Sequence, residues 1–317
     1  MKLLVTGGAG YIGSATVAAL VAAGHEVEVL DDLSTGFVDN VPEGAVLHEL
    51  PLSAASQVVD SSFDAVLHFA AKISVGESVR KPELYFDVNV RGTMTLLDSM
   101  RANDVKRLIF SSTGSMYAAN GLEPLAEDAV VDPQNPYAAS KSIVDMMLPW
   151  ECQASGLGAV SLRYFNAAGA SGHLGERHTP ETHLIPMVLD VAAGKRDEFL
   201  LFGDDYPTPD GTPVRDYIHI EDLASAHVLA LEAAEPGKHK VYNLGNGRGF
   251  SNLEVVEAVR EVTGHPVPTR TAPRREGDAV TSVASAEKAR TELGWRQAKP
   301  DLKDIIADAW EFHRSRP

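Results

Sequence analysis

The residues of this chain with the clearest chemical use are Tyr137 and Lys141, in the stretch Tyr137-Ala-Ala-Ser-Lys141. Residues four apart share one face of a helix, so the phenol and the ammonium can point into the same space. A free phenol titrates near ~10, and a cation a few ångströms away favours the phenolate, bringing tyrosine toward general-base strength at neutral pH. Spacing alone does not establish such a pair, because Tyr and Lys four apart occur by chance in helices. The elements that would position the pair have to be read as well.

The chain opens with Lys2-Leu-Leu-Val-Thr6, an apolar run suited to a central parallel strand. Gly7-Gly-Ala-Gly10-Tyr-Ile-Gly13 follows, and then a helix-forming stretch to about Ala23. Gly7 and Gly10 let the backbone approach a pyrophosphate, whose charge then sits on free amides at a helix N-terminus, and Gly13 permits close packing of helix on strand. A second strand, Glu26 to Leu30, runs into Asp31-Asp32, 18 residues beyond Gly13. An acid there accepts hydrogen bonds from a ribose 2′-hydroxyl and repels a 2′-phosphate, so the pattern predicts NAD rather than NADP.

Further strands are expected at Ala45 to Glu49, Ala65 to Phe69, Arg107 to Ser111 and Ala159 to Arg163, with helical stretches between them. That rhythm predicts an α/β fold, a Rossmann-type doubly wound parallel sheet with ligands at the carboxyl ends of its strands. Those ends carry His68-Phe-Ala-Ala71, Ser111-Ser-Thr113 and Arg163-Tyr-Phe-Asn166. Thr113 precedes Tyr137 by 24 residues, and its hydroxyl is expected beside it.

A chain of 317 residues exceeds one typical domain, and the expectation is two lobes around one cleft. Residues 1–166 would form the dinucleotide-binding domain, with a later segment near 215–245 returning to it, and 167–317 would mainly form a smaller C-terminal substrate-binding lobe. A net charge of -16 disfavours nucleic acid, so phosphate must be met by local basic groups and backbone amides. The single cysteine, Cys152, suits a reducing compartment. With no apolar run long enough to span a bilayer and no leader-like start, a cytoplasmic protein without membrane association is expected. The eleven histidines show no H-E-x-x-H or similar spacing, so no metal is expected.

After Asn166 the elements become short and rich in Gly, Pro and His. The informative pieces are Glu181-Thr-His-Leu-Ile-Pro186, Leu200-Leu-Phe-Gly203, Gly211-Thr-Pro-Val-Arg-Asp-Tyr217 and Pro273-Arg-Arg-Glu-Gly-Asp278. A guanidinium fork suits bidentate phosphate contact, which makes Arg215 and Arg275 the expected partners of a substrate diphosphate.

The chain as a whole resembles the UDP-glucose 4-epimerases (UDP-galactose 4-epimerases) of the extended short-chain dehydrogenase/reductase family. The resemblance rests on the glycine loop and the Tyr/Lys pair, with Val75-Gly-Glu-Ser-Val79, Arg163-Tyr-Phe-Asn-Ala-Ala-Gly-Ala170, Val214-Arg-Asp-Tyr-Ile-His219, Tyr242-Asn-Leu-Gly245 and Arg274-Arg-Glu-Gly-Asp278. It implies that Thr113, Tyr137 and Lys141 are the catalytic set. For NAD it implies Gly7, Gly10, Tyr11, Ile12 and Gly13 at the pyrophosphate and Asp31, Asp32, Leu33 and Ser34 toward the adenosine ribose. Phe69, Ala70, Ala71, Asn89, Ser111 and Phe165 would complete that site. For a UDP-sugar it implies Thr113, Asn166, His183, Leu184, Phe202, Arg215, Tyr217, Arg275, Asp278 and Ser282.

The implied activity is redox-neutral. Tyr137 would remove the proton of the sugar's 4-hydroxyl while carbon 4 gives hydride to NAD⁺, and the 4-keto sugar would turn over and take the hydride back on its other face. A small residue at Ser282 would also leave room for UDP-N-acetylglucosamine and UDP-N-acetylgalactosamine. A UDP-pentose or UDP-uronate 4-epimerase, an NDP-sugar 4,6-dehydratase and a non-catalytic NAD-sensing regulator are the alternatives. The dehydratase reading is disfavoured because Gly114-Ser115 stands where such enzymes carry an Asp-Glu pair. Three departures from the resemblance matter. Leu50-Pro51-Leu52 replaces an adenine-side carboxylate; Ile73, with Lys72 one position earlier, stands where some members carry a lysine, so neither is assigned as a cofactor contact; and Asp87-Val-Asn89 leaves only Asn89, of a usual asparagine pair, to pair buried backbone there. A homodimer is expected through apolar residues on the helices at Glu83 to Ala102 and Pro136 to Ala154.

Overall fold

In the computed structural model, which describes residues 1–118, 123–275 and 278–316, the strands in chain order are β1 (Lys2–Thr6), β2 (Glu26–Asp31), β3 (Ala45–Glu49), β4 (Ala65–His68), β5 (Arg107–Ser111), β6 (Gly158–Tyr164), β7 (Asn166–Ala168), β8 (Phe199–Phe202), β9 (Val214–Arg215), β10 (Tyr217–His219), β11 (His239–Leu244), β12 (Phe250–Ser251), β13 (Thr269–Ala272) and β14 (Thr281–Ser282). The helices are α1 (Tyr11–Ala22), α2 (Val75–Arg80), α3 (Pro82–Tyr85), α4 (Gly92–Ala102), α5 (Pro136–Ser155), α6 (Leu184–Ala192), α7 (Ile220–Ala233), α8 (Asn252–Thr263), α9 (Glu287–Glu292) and α10 (Leu302–Arg314).

Seven strands form one sheet in the order β11-β6-β5-β4-β1-β2-β3, every neighbouring pair parallel. Alternate side chains of a strand face opposite sides, and β1 divides accordingly: Leu3 and Val5 enter one buried core, Leu4 the other. The first core is closed by α1 and α7, with Val17, Leu20 and Leu231 buried against the sheet. The second is closed by α4 and α5 through Leu96, Met100, Val144 and Leu148. Burial on both faces is why these strands read as continuous apolar runs. The strand order reverses between β1 and β4, and that reversal opens a crevice at their carboxyl ends.

A third core lies outside the sheet, where α6, α8 and α10 pack Ile185, Val188, Val255, Val259, Ile305 and Ile306 together. Short strand pairs connect it to the sheet: β10 beside β7, β13 beside β8, and β9 between β12 and β14. No helix among the described residues is long and apolar enough to cross a membrane.

Candidate active site at the reversal of strand order

The glycine loop takes its shape from what side chains would strike. Gly7 has φ +72°, and a Cβ there would lie 2.5 Å from the backbone nitrogen of Ala70; at Gly13 it would lie 2.1 Å from the carbonyl oxygen of Gly7. Only glycine lets the turn after β1 pass under the end of β4 and lets α1 start against it. Asp31, at the end of β2, is buried; its carboxylate accepts the N–H of Ala9 at 3.0 Å and of Leu33 at 2.9 Å. Burial nonetheless raises its pKa, with the two amides pulling the other way.

Around this loop lies a cavity of about 720 Å³, lined by Gly7, Gly10, Tyr11, Ile12, Gly13, Asp31, Asp32, Ser34, Phe69, Ala70, Ala71, Ser111, Thr113, Tyr137, Lys141 and Phe165. Two residues expected at this site are committed elsewhere. Leu33, at φ 56°, turns the chain after β2 and gives its amide to Asp31. Asn89 sits in a π-helical turn, Phe86–Arg91, between α3 and α4. Its amide pairs with both backbone groups of Lys72, at 2.8 and 3.0 Å, and with Ser140 Oγ at 2.9 Å, so it fixes the loop that walls the cavity. Where an adenine-side carboxylate is missing, Leu50, Pro51 and Leu52 make an apolar wall.

Helix α5 starts where Asn135 caps it, accepting the N–H of Ala138 at 2.9 Å, with Pro136 in the first turn. This start brings Tyr137 and Lys141 to the end of β5. The buried ammonium of Lys141 donates to the carbonyl of Ser111 at 2.8 Å and lies 4.8 Å from the Phe110 ring centre. Burial lowers its pKa to about 8, against the pull of Asp145 one turn further along the helix. Burial raises the pKa of Tyr137, and the group that draws it back is the Thr113 hydroxyl. Lys141 and Thr113 both line this cavity together with Tyr137, and the Thr113 hydroxyl also pairs with that of Ser115 at 2.9 Å. Thr113 also caps the short turn Gly114–Met116. Gly114 is bare because a Cβ would come within 2.4 Å of the Phe165 ring.

A second cavity, about 860 Å³, contains Asn166, His183, Leu184, Arg215, Tyr217, Arg275 and Asp278 in its walls. Asp216 is fully buried behind β9 and accepts the N–H groups of Asn246 (2.7 Å), Ala284 (3.0 Å) and Gly247 (3.3 Å). It thereby ties three segments together and aims Arg215 and Tyr217, on either side of it, at the cavity. Burial raises its pKa to about 7. The Arg215 guanidinium lies 4.0 Å from Asp278, and that of Arg275 lies 3.8 Å from the Phe202 ring centre. Phe202 and Ser282 lie behind the wall: Phe202 under Arg275, and Ser282 on β14 in register with Arg215. Glu276 and Gly277 of the Arg-Arg-Glu-Gly-Asp motif lie outside the described residues.

The two cavities share Tyr11, Asn166, Ala167, Glu176, His178 and His183 as a common wall. Glu176 and His178 were not singled out from the sequence. Neither was Asp145, whose buried carboxylate takes Arg163 Nε at 2.8 Å and Ser112 Oγ at 3.1 Å, while Lys72, left unassigned from the sequence, reaches Ser34 Oγ at 3.2 Å beside the first cavity. An acid four residues after Lys141 was the available signal for Asp145; Glu176 and His178 carry none, standing in an irregular segment.

Residues 3–245 match the model of the NAD dependent epimerase/dehydratase family. This chain belongs to that family. It is 53% identical to UDP-glucose 4-epimerase of Corynebacterium glutamicum, over 98% of this chain and 95% of that protein. UDP-glucose 4-epimerase of Streptomyces lividans is also 53% identical, over 100% of this chain and 97% of the other. Among solved structures, UDP-glucose 4-epimerase from Brucella ovis in complex with NAD superposes with a TM-score of 0.94 at 42% identity, covering 98% of both chains. The Bifidobacterium longum enzyme in complex with NAD+ and UDP gives 0.92 at 35% identity, covering 100% of this chain and 99% of that one. Family membership thus extends over the sheet, both cavities and the wall between them.

Proposed function

We propose that this chain interconverts UDP-galactose and UDP-glucose by NAD-dependent 4-epimerisation. The observation that carries the reading is the common wall: a nucleotide held among Arg215, Arg275, Asp278 and Leu184 directs its sugar past Asn166 toward Thr113 and Tyr137. NAD fits the first cavity, because glycine amides and a helix N-terminus meet a pyrophosphate and Asp31 and Asp32 meet a ribose. When bound, the dinucleotide supplies the acceptor and donor of the hydride at carbon 4. Thr113 holds the 4-hydroxyl, Tyr137 takes its proton and later returns one, and Lys141 keeps a positive charge beside the reacting oxygen. Anchoring falls on the nucleotide, through the two arginines and Asn166, so the sugar keeps the freedom to turn over. Ser282, small and beside Arg215, extends the reading to the N-acetylated sugars.

Elimination chemistry is disfavoured sterically as well as chemically, since any side chain at Gly114 would meet Phe165. The same reading makes residues 1–166 with the 215–245 segment a cofactor domain, the remainder a UDP-sugar lobe, and the cytoplasm the location. It also includes a homodimer. Trp150 and Met146, one turn apart on α5, are 72% and 63% exposed, and Val79, Phe86 and Met94 are exposed on the neighbouring helical run. Wild type is expected to sediment as a dimer at micromolar concentration and Trp150→Glu as a monomer; a monomeric wild type would remove this part. The central test is to incubate the purified protein with UDP-galactose, first without added NAD and then with it, and measure UDP-glucose. No product in either arm would end the proposal.

A further inference from the structure

We propose that Glu176, His178 and His183, with Glu181 orienting His183, bind one divalent transition-metal ion of the zinc class in the wall between the two cavities. The ligand atoms of Glu176, His178 and His183 all lie within 4.8 Å of one another. In four-coordinate zinc, with bonds of ~2.0–2.2 Å, neighbouring ligand atoms stand about 3.4 Å apart. Closing onto an ion therefore takes side-chain shifts of about an ångström and no change of fold. His183 Nδ1 already lies 2.8 Å from Glu181 and 3.8 Å from Glu176, while His178 Nδ1 is hydrogen-bonded to Glu176.

Backbone groups hold both carboxylates in place. Glu176 Oε1 accepts the N–H of Arg177 at 2.8 Å and of His178 at 2.9 Å. Glu181 Oε1 accepts those of Thr182 at 2.6 Å and of His183 at 2.7 Å. Each carboxylate is thus oriented through one oxygen and has its second available, the arrangement by which outer hydrogen bonds aim metal ligands. The charge balance points the same way. Two partly buried glutamates face two imidazoles, and the guanidinium of the intervening Arg177 is turned away to Asp39 at 2.7 Å and stacked over Phe37 at 3.6 Å. A mixed nitrogen and oxygen donor set selects zinc, copper, nickel or cobalt over calcium and magnesium, which take oxygen alone. The spacing Glu-x-His followed by His five residues later belongs to no regular element, which is why the sequence reading expected no metal.

The test uses the untagged, chelator-stripped full chain, titrated with Zn²⁺ against a chromophoric chelator and, separately, with Co²⁺ followed by visible absorption. Wild type is expected to take one equivalent of Zn²⁺ with micromolar or tighter affinity and to give a four-coordinate Co²⁺ spectrum. His178→Ala and His183→Ala are expected to bind at least ~100-fold more weakly. Glu176→Gln keeps the side-chain shape and carries the test if a histidine variant does not fold, as judged by circular dichroism; it too should lose affinity. No stoichiometric binding by wild type overturns the proposal, as do folded variants that bind like wild type. Because the readout is metal binding, its failure is distinct from failure of the epimerase reading.

Discussion

The two cavities are built by different means. Around the first, polar groups are fixed by backbone: Asp31 by the amides of Ala9 and Leu33, Lys141 by the carbonyl of Ser111, and the loop beside Asn89 by its paired amide. Around the second, side chains on short strands and irregular segments hold one another: Arg275 over the Phe202 ring, Arg215 toward Asp278, His183 against Glu181. A site of the first kind meets its ligand already organised, and each group contributes in full where charge develops. In a site of the second kind a ligand replaces internal partners, so each contact counts only by the difference between old partner and new.

That difference sets the order of effects. Tyr137→Phe removes the proton-transferring hydroxyl and keeps the ring, so turnover should fall at least ~100-fold with UDP affinity nearly unchanged. Activity within a few-fold of wild type, measured by conversion of UDP-galactose, would show that the first cavity does not hold the chemistry. Asp145→Asn should act through Lys141. That lysine, whose pKa burial brings to about 8, is charged below that pH, and Asp145 opposes the lowering. Without the carboxylate the proton leaves at lower pH, so the alkaline fall in kcat moves to lower pH than in wild type. A pH profile of unchanged shape with a uniformly lower rate would mean that Asp145 only supports Arg163.

Arg275→Ala tests the other half. Losing one charge-assisted contact that already had an internal partner should raise KM about 10-fold with kcat within a few-fold. A loss comparable to that of Tyr137→Phe would erase the contrast between the cavities. The smallest change is expected at Ser282, which acts from behind Arg215. Ser282→Tyr should lower turnover of the N-acetylated UDP-sugars about 10-fold while that of UDP-galactose stays within a few-fold. Equal handling of both sugar pairs by wild type and variant would remove Ser282 as the gate.

The parts legible in the sequence are those whose geometry is local. Lys2 to Gly13 had to be a strand, a tight turn and a helix start because its residues are consecutive, and Tyr137 and Lys141 had to share a face because helix pitch places them so. Strands expected at Ala45 to Glu49 and Arg107 to Ser111 have those bounds in the structure; the one from Ala65 stops at His68, one residue short of Phe69, and the one at Ala159 to Arg163 extends by a residue at each end. What tertiary structure alone decided is which groups meet across elements. The Lys141 ammonium met the Ser111 carbonyl, and the Asp145 carboxylate met Arg163 and Ser112. Arg275 took the face of Phe202, and Glu176 met His178 and His183. Covalent geometry determines spacing within a strand or helix turn. Where irregular segments come to rest depends on burial and pairing summed over the whole chain, and no short stretch of sequence carries that sum.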